Sequence, residues 1–327
     1  MNIVCRTFTK PTNKSLMKSF AKLLLRTVIF IFILLNIVVA FQAYKFTHFY
    51  NPGQVVIKKQ NEKTGWEKTQ EILFGINAVK QTNLAADSNF KTVYLTTKDG
   101  LKLQAWYIPV QNAKGTVALF HGHGGKKSGV LNEAAGFRQL GYNTMLLDFR
   151  AHGSSEGNTT TIGFTEAEDV KLVYDYIKNA GEKNIVLWGI SMGAATITKA
   201  INDYDLQPTK IILEMPFGSM MDAVEGRVKM MHLPAEPIST LLTFWGGTEH
   251  GFWAFGMKPV EYVKKIKCPV LLQWGRNDPR VTEAETQNIY SNIATPKKLV
   301  IYENSGHESL CKKENAKWQN EITAFLQ

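Results

Sequence analysis

Residues 184–193, Asn-Ile-Val-Leu-Trp-Gly-Ile-Ser-Met-Gly, decide how this chain is read. Residues 185–188 form a near-continuous apolar run, the signature of a parallel strand buried on both faces. A helical pattern begins at Met192 and runs to about residue 203. Between the two lies Gly189-x-Ser191-x-Gly193, a serine at the apex of a strand-to-helix turn. A turn that tight strains the serine backbone, and flanking glycines avoid collisions with neighbouring elements. The strain projects Oγ outward, while the helix start offers N–H groups to a developing negative charge. Ser191 is therefore the candidate nucleophile. The pentapeptide alone also occurs by chance in loops; its place between strand and helix gives it weight.

The flanking sequence repeats the same alternation. Apolar runs at 116–120, 144–147, 211–213, 270–274 and 299–302 read as strands. Helical patterns fall near 129–140, 165–179, 282–293 and 312–326. A hairpin precedes them, with residues 93–97 and 103–109 flanking the turn signal Asp99-Gly100. The fold class is α/β, with a mostly parallel sheet and helices on both faces. From about 215 to 266 the alternation stops. That stretch is too long for a structureless loop in a compact domain and predicts an ordered insertion, most simply a lid.

A serine hydroxyl needs a base and an acid to orient that base. Two strand-end loops downstream offer them: Gly275-Arg276-Asn277-Asp278-Pro279 and Glu303-Asn304-Ser305-Gly306-His307. Both follow parallel strands, at whose carboxyl ends open α/β sheets bind ligands. Taken alone, Asp278 reads as a turn-forming residue before proline, and His307 as a surface histidine. The chain order Ser191, Asp278, His307 is what singles them out. Glu214, at another strand end, is a competing acid. Upstream, His121-Gly122-His123-Gly124-Gly125 follows a strand, so the main-chain N–H groups of His123 and Met192 are the candidate oxyanion donors. His121, His123 and His152 lack a clustered carboxylate or cysteine partner and do not read as a metal site. Asp148 precedes Ser191, and its expected role is to tie the loop beside the oxyanion turn through hydrogen bonds and an Arg150 contact.

These motifs together resemble the α/β-hydrolase superfamily over roughly residues 90–327, and within it the lysophospholipase and serine-aminopeptidase-like branch. The resemblance rests on T-T-K-D-G-L-K-L-Q-A-W-Y-I-P (96–109), H-G-H-G-G (121–125), D-F-R-A-H-G-S-S (148–155), G-I-S-M-G (189–193), G-R-N-D (275–278) and S-G-H (305–307). It implies an eight-stranded sheet with the second strand antiparallel, a Ser191–His307–Asp278 triad, and a lid between the sixth and seventh strands. The chemistry it implies is hydrolysis through an acyl-enzyme, with no metal or organic cofactor. It fixes fold and triad far better than substrate. Short- to medium-chain esters are the expected substrates, with a peptidase, an acyltransferase and a non-catalytic tethered protein as alternatives. Within the insertion, Phe217, Trp245, Phe252 and Trp253 are the candidate pocket residues for a small-molecule or lipid-like acyl group.

The 327 residues carry a net charge of +10, which raises the question of nucleic acid. Its distribution argues against that partner. Arg6, Lys10, Lys14, Lys18, Lys22 and Arg26 lie in the first 26 residues with no acidic residue among them, so the remainder carries only +4. No basic stripe or binding motif accompanies the charge. Residues 27–44 are free of charge and span roughly 27 Å as a helix, close to a bilayer's hydrocarbon thickness. The expected organisation is a basic cytoplasmic arm (1–26), a transmembrane anchor (27–44), a polar stem (45–90) with an amphipathic helix near 66–79, and a catalytic domain (91–327). The positive-inside rule places that domain on the non-cytoplasmic side. Cleavage as a signal peptide near Ala40, with secretion, is the alternative. The three cysteines form no disulfide framework, and two independent thiols are favoured over a Cys268–Cys311 bridge.

Overall fold

The computed structural model describes residues 13–84 and 89–327. The first twelve residues of the expected basic arm, with Cys5, lie outside them. Eight strands form one sheet: β1 (Lys91–Thr96), β2 (Lys102–Ile108), β3 (Thr116–Phe120), β4 (Asn143–Leu147), β5 (Ile185–Ile190), β6 (Lys210–Glu214), β7 (Val270–Gly275) and β8 (Lys297–Tyr302). Their spatial order is β8-β7-β6-β5-β3-β4-β2-β1. Only β2 runs against its neighbours, pairing antiparallel with both β1 and β4. Every residue of β3 and β4 is buried, which explains why both are apolar beyond their first residues.

Each face of the sheet carries its own apolar core. Helices α4 (Ala167–Asn179), α5 (Met192–Tyr204) and α9 (Glu283–Asn292) cover one face through Val170, Val173, Ile197 and Ile289. Helices α3 (Leu131–Gln139) and α11 (Asn315–Leu326) cover the other through Phe137, Trp318 and Ile322. The helix expected over 312–326 is broken. A short α10 (Leu310–Lys313) ends at Glu314, whose φ of −129° and ψ of 58° leave the helical region. The Glu314 carboxylate instead accepts from Ser305 Oγ (2.7 Å) and Asn304 N–H (3.0 Å), bracing the loop that carries His307.

The insertion between the sixth and seventh strands is helical, with α6 (Met220–Met230), α7 (Ile238–Glu249) and α8 (Pro259–Tyr262). The N-terminal apolar segment is a single helix, α1 (Asn13–Thr47), longer than the stretch 27–44 at both ends. At about 1.5 Å per residue it extends roughly 50 Å, well beyond the ~30 Å of a bilayer core. Apolar side chains from Met17 to Phe41 point outward around it, whereas Val39, Ala43 and Thr47 are buried against the rest of the protein. The last third of α1 therefore packs on the domain rather than leading to it. It lies along α7, where Trp245 Nε1 donates to Asn36 Oδ1 (3.1 Å).

The expected stem is not a spacer either. Its helix, α2 (Gly65–Phe74), stops at Gly75 with φ +82°, short of residue 79. Ala78–Val79 then pairs with Phe49–Tyr50. Beyond it, Lys80 is buried with Nζ on the Ser155 carbonyl (3.0 Å), and Asn83 reaches Asp148 Oδ2 (2.7 Å). The segment wraps the loops beside the oxyanion turn. Cys268 and Cys311 are separate buried thiols, each pushed up to about 12 by burial.

Candidate active site

Ser191 sits between β5 and α5 with φ +54° and ψ −117°, a conformation that L-residues adopt only when their surroundings impose it. Two close approaches impose it here. A Cβ on Gly193 would lie 2.2 Å from the Phe120 carbonyl oxygen, and one on Gly189 would lie 2.6 Å from the Gly193 carbonyl carbon. Only glycine lets strand and helix meet so closely at both positions.

His307 Nε2 stands 2.8 Å from Ser191 Oγ, and His307 Nδ1 stands 2.6 Å from Asp278 Oδ2. The Asp278 side chain is fully buried and that of His307 nearly so. Oδ1 of Asp278 accepts the N–H groups of Arg280 (2.7 Å) and Val281 (3.0 Å), which fixes the carboxylate plane. With Nδ1–H donated to Asp278, the Nε2 lone pair faces the serine hydroxyl. The competing acid is elsewhere: Glu214 Oε1 accepts the indole N–H groups of Trp188 (2.9 Å) and Trp318 (2.7 Å). Burial, reinforced by Glu133, pushes the Glu214 carboxyl up to about 8. It is a neutral core group at ordinary pH.

The oxyanion loop lies against the serine, with a Cβ on Gly122 only 3.4 Å from Ser191 Cβ. The main-chain N–H groups of His123 and Met192 carry no hydrogen bond among the described residues. Three side chains that the sequence did not single out, His152, His121 and Lys127, hold this loop together with Asp148, whose tying role it did suggest. His152 Nε2 accepts Gly124 N–H (3.0 Å) while its Nδ1 meets the Arg150 carbonyl (2.8 Å). His121 Nδ1 meets the Gly122 carbonyl (2.8 Å). Asp148 accepts Lys127 N–H (2.6 Å) and Ser154 N–H (2.8 Å) and pairs with the fully buried Lys127 ammonium. Arg150 does not join Asp148; its guanidinium forks onto Asp169 (2.5 Å) and Glu168 (2.9 Å) at the start of α4. No group of His, Cys, Asp or Glu among the described residues is arranged to hold a metal.

His123 is half-buried, and its imidazole stacks on Phe46 of α1, with ring centroids 4.5 Å apart and planes within 15°. Beside it lies a cavity of about 680 Å³, walled by the end of α1, by α6 and α7, and by His123, Gly124 and Arg280. Ser191 is not itself in that wall, so the cavity adjoins the nucleophile across the oxyanion loop. Of the four candidate pocket residues, only Phe252 lines it, stacked on Phe164 at 4.2 Å. Phe217 is instead buried in the core, and Trp253 is two-thirds exposed. Trp245 lines a second cavity, of about 600 Å³, against α1. Aromatic content within the insertion could not tell wall from core. The contribution of α1 to the main wall had no signal in the sequence at all.

Known proteins agree with this architecture. The family model of the serine aminopeptidases, S33, matches residues 111–243, a span that holds the oxyanion loop and Ser191 but ends before Asp278 and His307. The uncharacterised protein YqkD of Bacillus subtilis is 26% identical over 231 residues, covering 69% of this chain and 76% of that protein. Lysophosphatidylserine lipase ABHD12 of Macaca fascicularis is 27% identical over 212 residues, covering 60% of this chain and 49% of the lipase. Among solved structures, an esterase of Pyrococcus furiosus superposes with a TM-score of 0.63 at 24% identity, covering 76% of this chain and 97% of the esterase. Fold, strand order and relatives converge: the chain has the α/β-hydrolase fold and is similar to the lysophospholipase and serine-aminopeptidase branch of that superfamily.

Proposed function

We propose that this protein is a membrane-anchored serine hydrolase that cleaves the acyl ester of a lipid-like substrate. The observation that carries this reading is the continuous relay from Ser191 Oγ through His307 to Asp278, at 2.8 and 2.6 Å. His307 would take the serine proton as Oγ attacks the acyl carbon, and Asp278 would stabilise the imidazolium. The unengaged N–H groups of His123 and Met192 would receive the oxyanion, and water would then release the acyl group.

Two observations favour an ester over a peptide. An aminopeptidase needs an acidic side chain to hold the substrate's terminal ammonium, and no Asp or Glu lines the main cavity. The lipase named above also points to acyl lipids. Retention of the anchor is supported by the burial of Val39, Ala43 and Thr47, because a cut after Ala40 would leave a severed helix end in the domain. The basic arm would stay cytoplasmic, with the catalytic domain opposite.

A fluorophosphonate probe tests the nucleophile: labelling of the full chain should vanish in Ser191→Ala, and persistence in that variant would refute the assignment. A panel of acyl esters against aminoacyl amides then tests the bond class. A C-terminal reporter active only in the cytoplasm would overturn the orientation.

A further inference from the structure

The main cavity is walled mostly by apolar side chains, yet its charged wall residues are all cationic: Lys45, Arg227 and Arg280. Lys45 is already engaged, with Nζ on Tyr50 Oη (3.0 Å) and Asn77 Oδ1 (2.6 Å). The two arginines are not. Arg227 lies over the Phe46 ring at 4.6 Å, and among the described residues neither guanidinium has a carboxylate partner or a hydrogen-bond acceptor. Burial and the neighbouring Arg280 bring Arg227 down to about 10, the direction expected of two cations pressed together without a counter-ion.

Their approach is enforced by packing. A Cβ on Gly226 would fall 2.3 Å from the Arg280 carbonyl oxygen, so α6 rests directly on the loop that follows Asp278. Two further polar groups border the same space. Nε2 of His123 and Nε2 of His250 are buried without a partner, and both residues line the cavity. Desolvation keeps both imidazoles below their ordinary pKa; the His123 ring donates its N–H to the Phe46 carbonyl, which leaves Nε2 an acceptor, whereas His250 can present an N–H. Three unmet donor groups, Arg227, Arg280 and His250, with no carboxylate among them complement an anion with several oxygens.

Resting on the hydrolase reading above, we propose that Arg227 and Arg280 bind the phosphate headgroup of a single-chain acyl lipid whose ester carbonyl lies at Ser191. Gly122 lies against Ser191 while the His123 ring faces this cavity, so adjacent residues of the oxyanion loop border the two subsites. The apolar remainder of the wall accepts the glycerol and chain.

The test is calorimetric binding to the full chain in non-ionic detergent micelles. The ligands are a non-hydrolysable alkyl-ether analogue of lysophosphatidic acid, the matching neutral alkylglycerol, and inorganic phosphate. The ether phosphate should bind about 10–100-fold more tightly than the neutral ether, the range expected for charged hydrogen bonds. In Arg227→Gln and in Arg280→Gln that ratio should collapse towards one, and Arg227→Lys should keep part of it. A thermal melt of each variant establishes that it is folded. Equal binding of the two ethers by the native protein would overturn the proposal, as would a preference that survives both glutamine variants. So would inorganic phosphate binding as tightly as the ether phosphate. Fluorophosphonate labelling of Ser191 in the same preparation separates the two readings. Labelling without headgroup preference removes this inference alone, and preference without labelling removes the hydrolase reading alone.

Discussion

Phe46 of the apolar N-terminal helix stacks flat on His123 of the oxyanion loop, 4.5 Å between ring centroids. The helix that would hold the protein in the bilayer thus touches the loop that would hold the reaction's negative charge. Phe46→Ala removes a stacking contact worth about 1 kcal/mol. We expect it to lower kcat on a soluble ester, by less than the roughly 100-fold that deletion of an oxyanion donor causes. Phe46→Tyr should restore the rate. Deletion through Thr47 should abolish fluorophosphonate labelling outright.

Asp278 and Glu214 make a matched pair of substitutions. Asp278→Asn should reduce kcat by about 10⁴, the effect of leaving a catalytic histidine in the wrong tautomer. Glu214→Gln keeps an acceptor for Trp188 and Trp318 and should leave kcat within a few-fold of the native value. Steady-state kinetics on one ester decides between them as the orienting acid.

The same Glu214 predicts a pH dependence of stability. Its carboxyl titrates near 8 in the folded protein against an ordinary value of 4.5. Between those values the folded state holds a proton that the unfolded state has lost. Its stabilising contribution is complete below pH 4.5 and falls as pH rises towards 8, with a slope of at most about 1.4 kcal/mol per pH unit. Glu214→Gln should melt close to the native protein at pH 5 and above it at pH 8. Melting curves at the two pH values read this directly.

Lys127 and Asp148 are both fully buried beneath the oxyanion loop. Removing one member of such a pair strands the other charge, at a typical cost of 3–5 kcal/mol. Lys127→Met should therefore destabilise the protein by about that much in urea titration. Pairing it with Asp148→Asn should recover a substantial part, because no isolated charge then remains.

The contrast between Ser191 and Phe46 shows what the sequence could disclose. Ser191, Asp278 and His307 were legible because each follows an apolar strand, and a parallel sheet gathers strand ends at one edge. Gly189 and Gly193 were legible because a crowded turn permits nothing else. Phe217 and Trp253 misled, since an aromatic side chain has the same letter whether it fills a core, lines a cavity or faces outward. The role of α1 was hidden for a different reason. An uncharged run of that length advertises a membrane so strongly that nothing in it marks which turns also pack on protein. His152, His121 and Lys127 act through contacts 21 to 28 residues away, and no local pattern encodes such a distance.

Because the last turns of α1 form part of the cavity wall, an anchor made by that helix would move as one body with the domain that carries Ser191. The opening would then keep a constant height and tilt above the lipid plane. Turnover under that constraint follows the mole fraction of substrate in the surrounding leaflet rather than its bulk concentration. Diluting the substrate with inert lipid at constant total substrate should slow the enzyme, and diluting the vesicles in buffer should not.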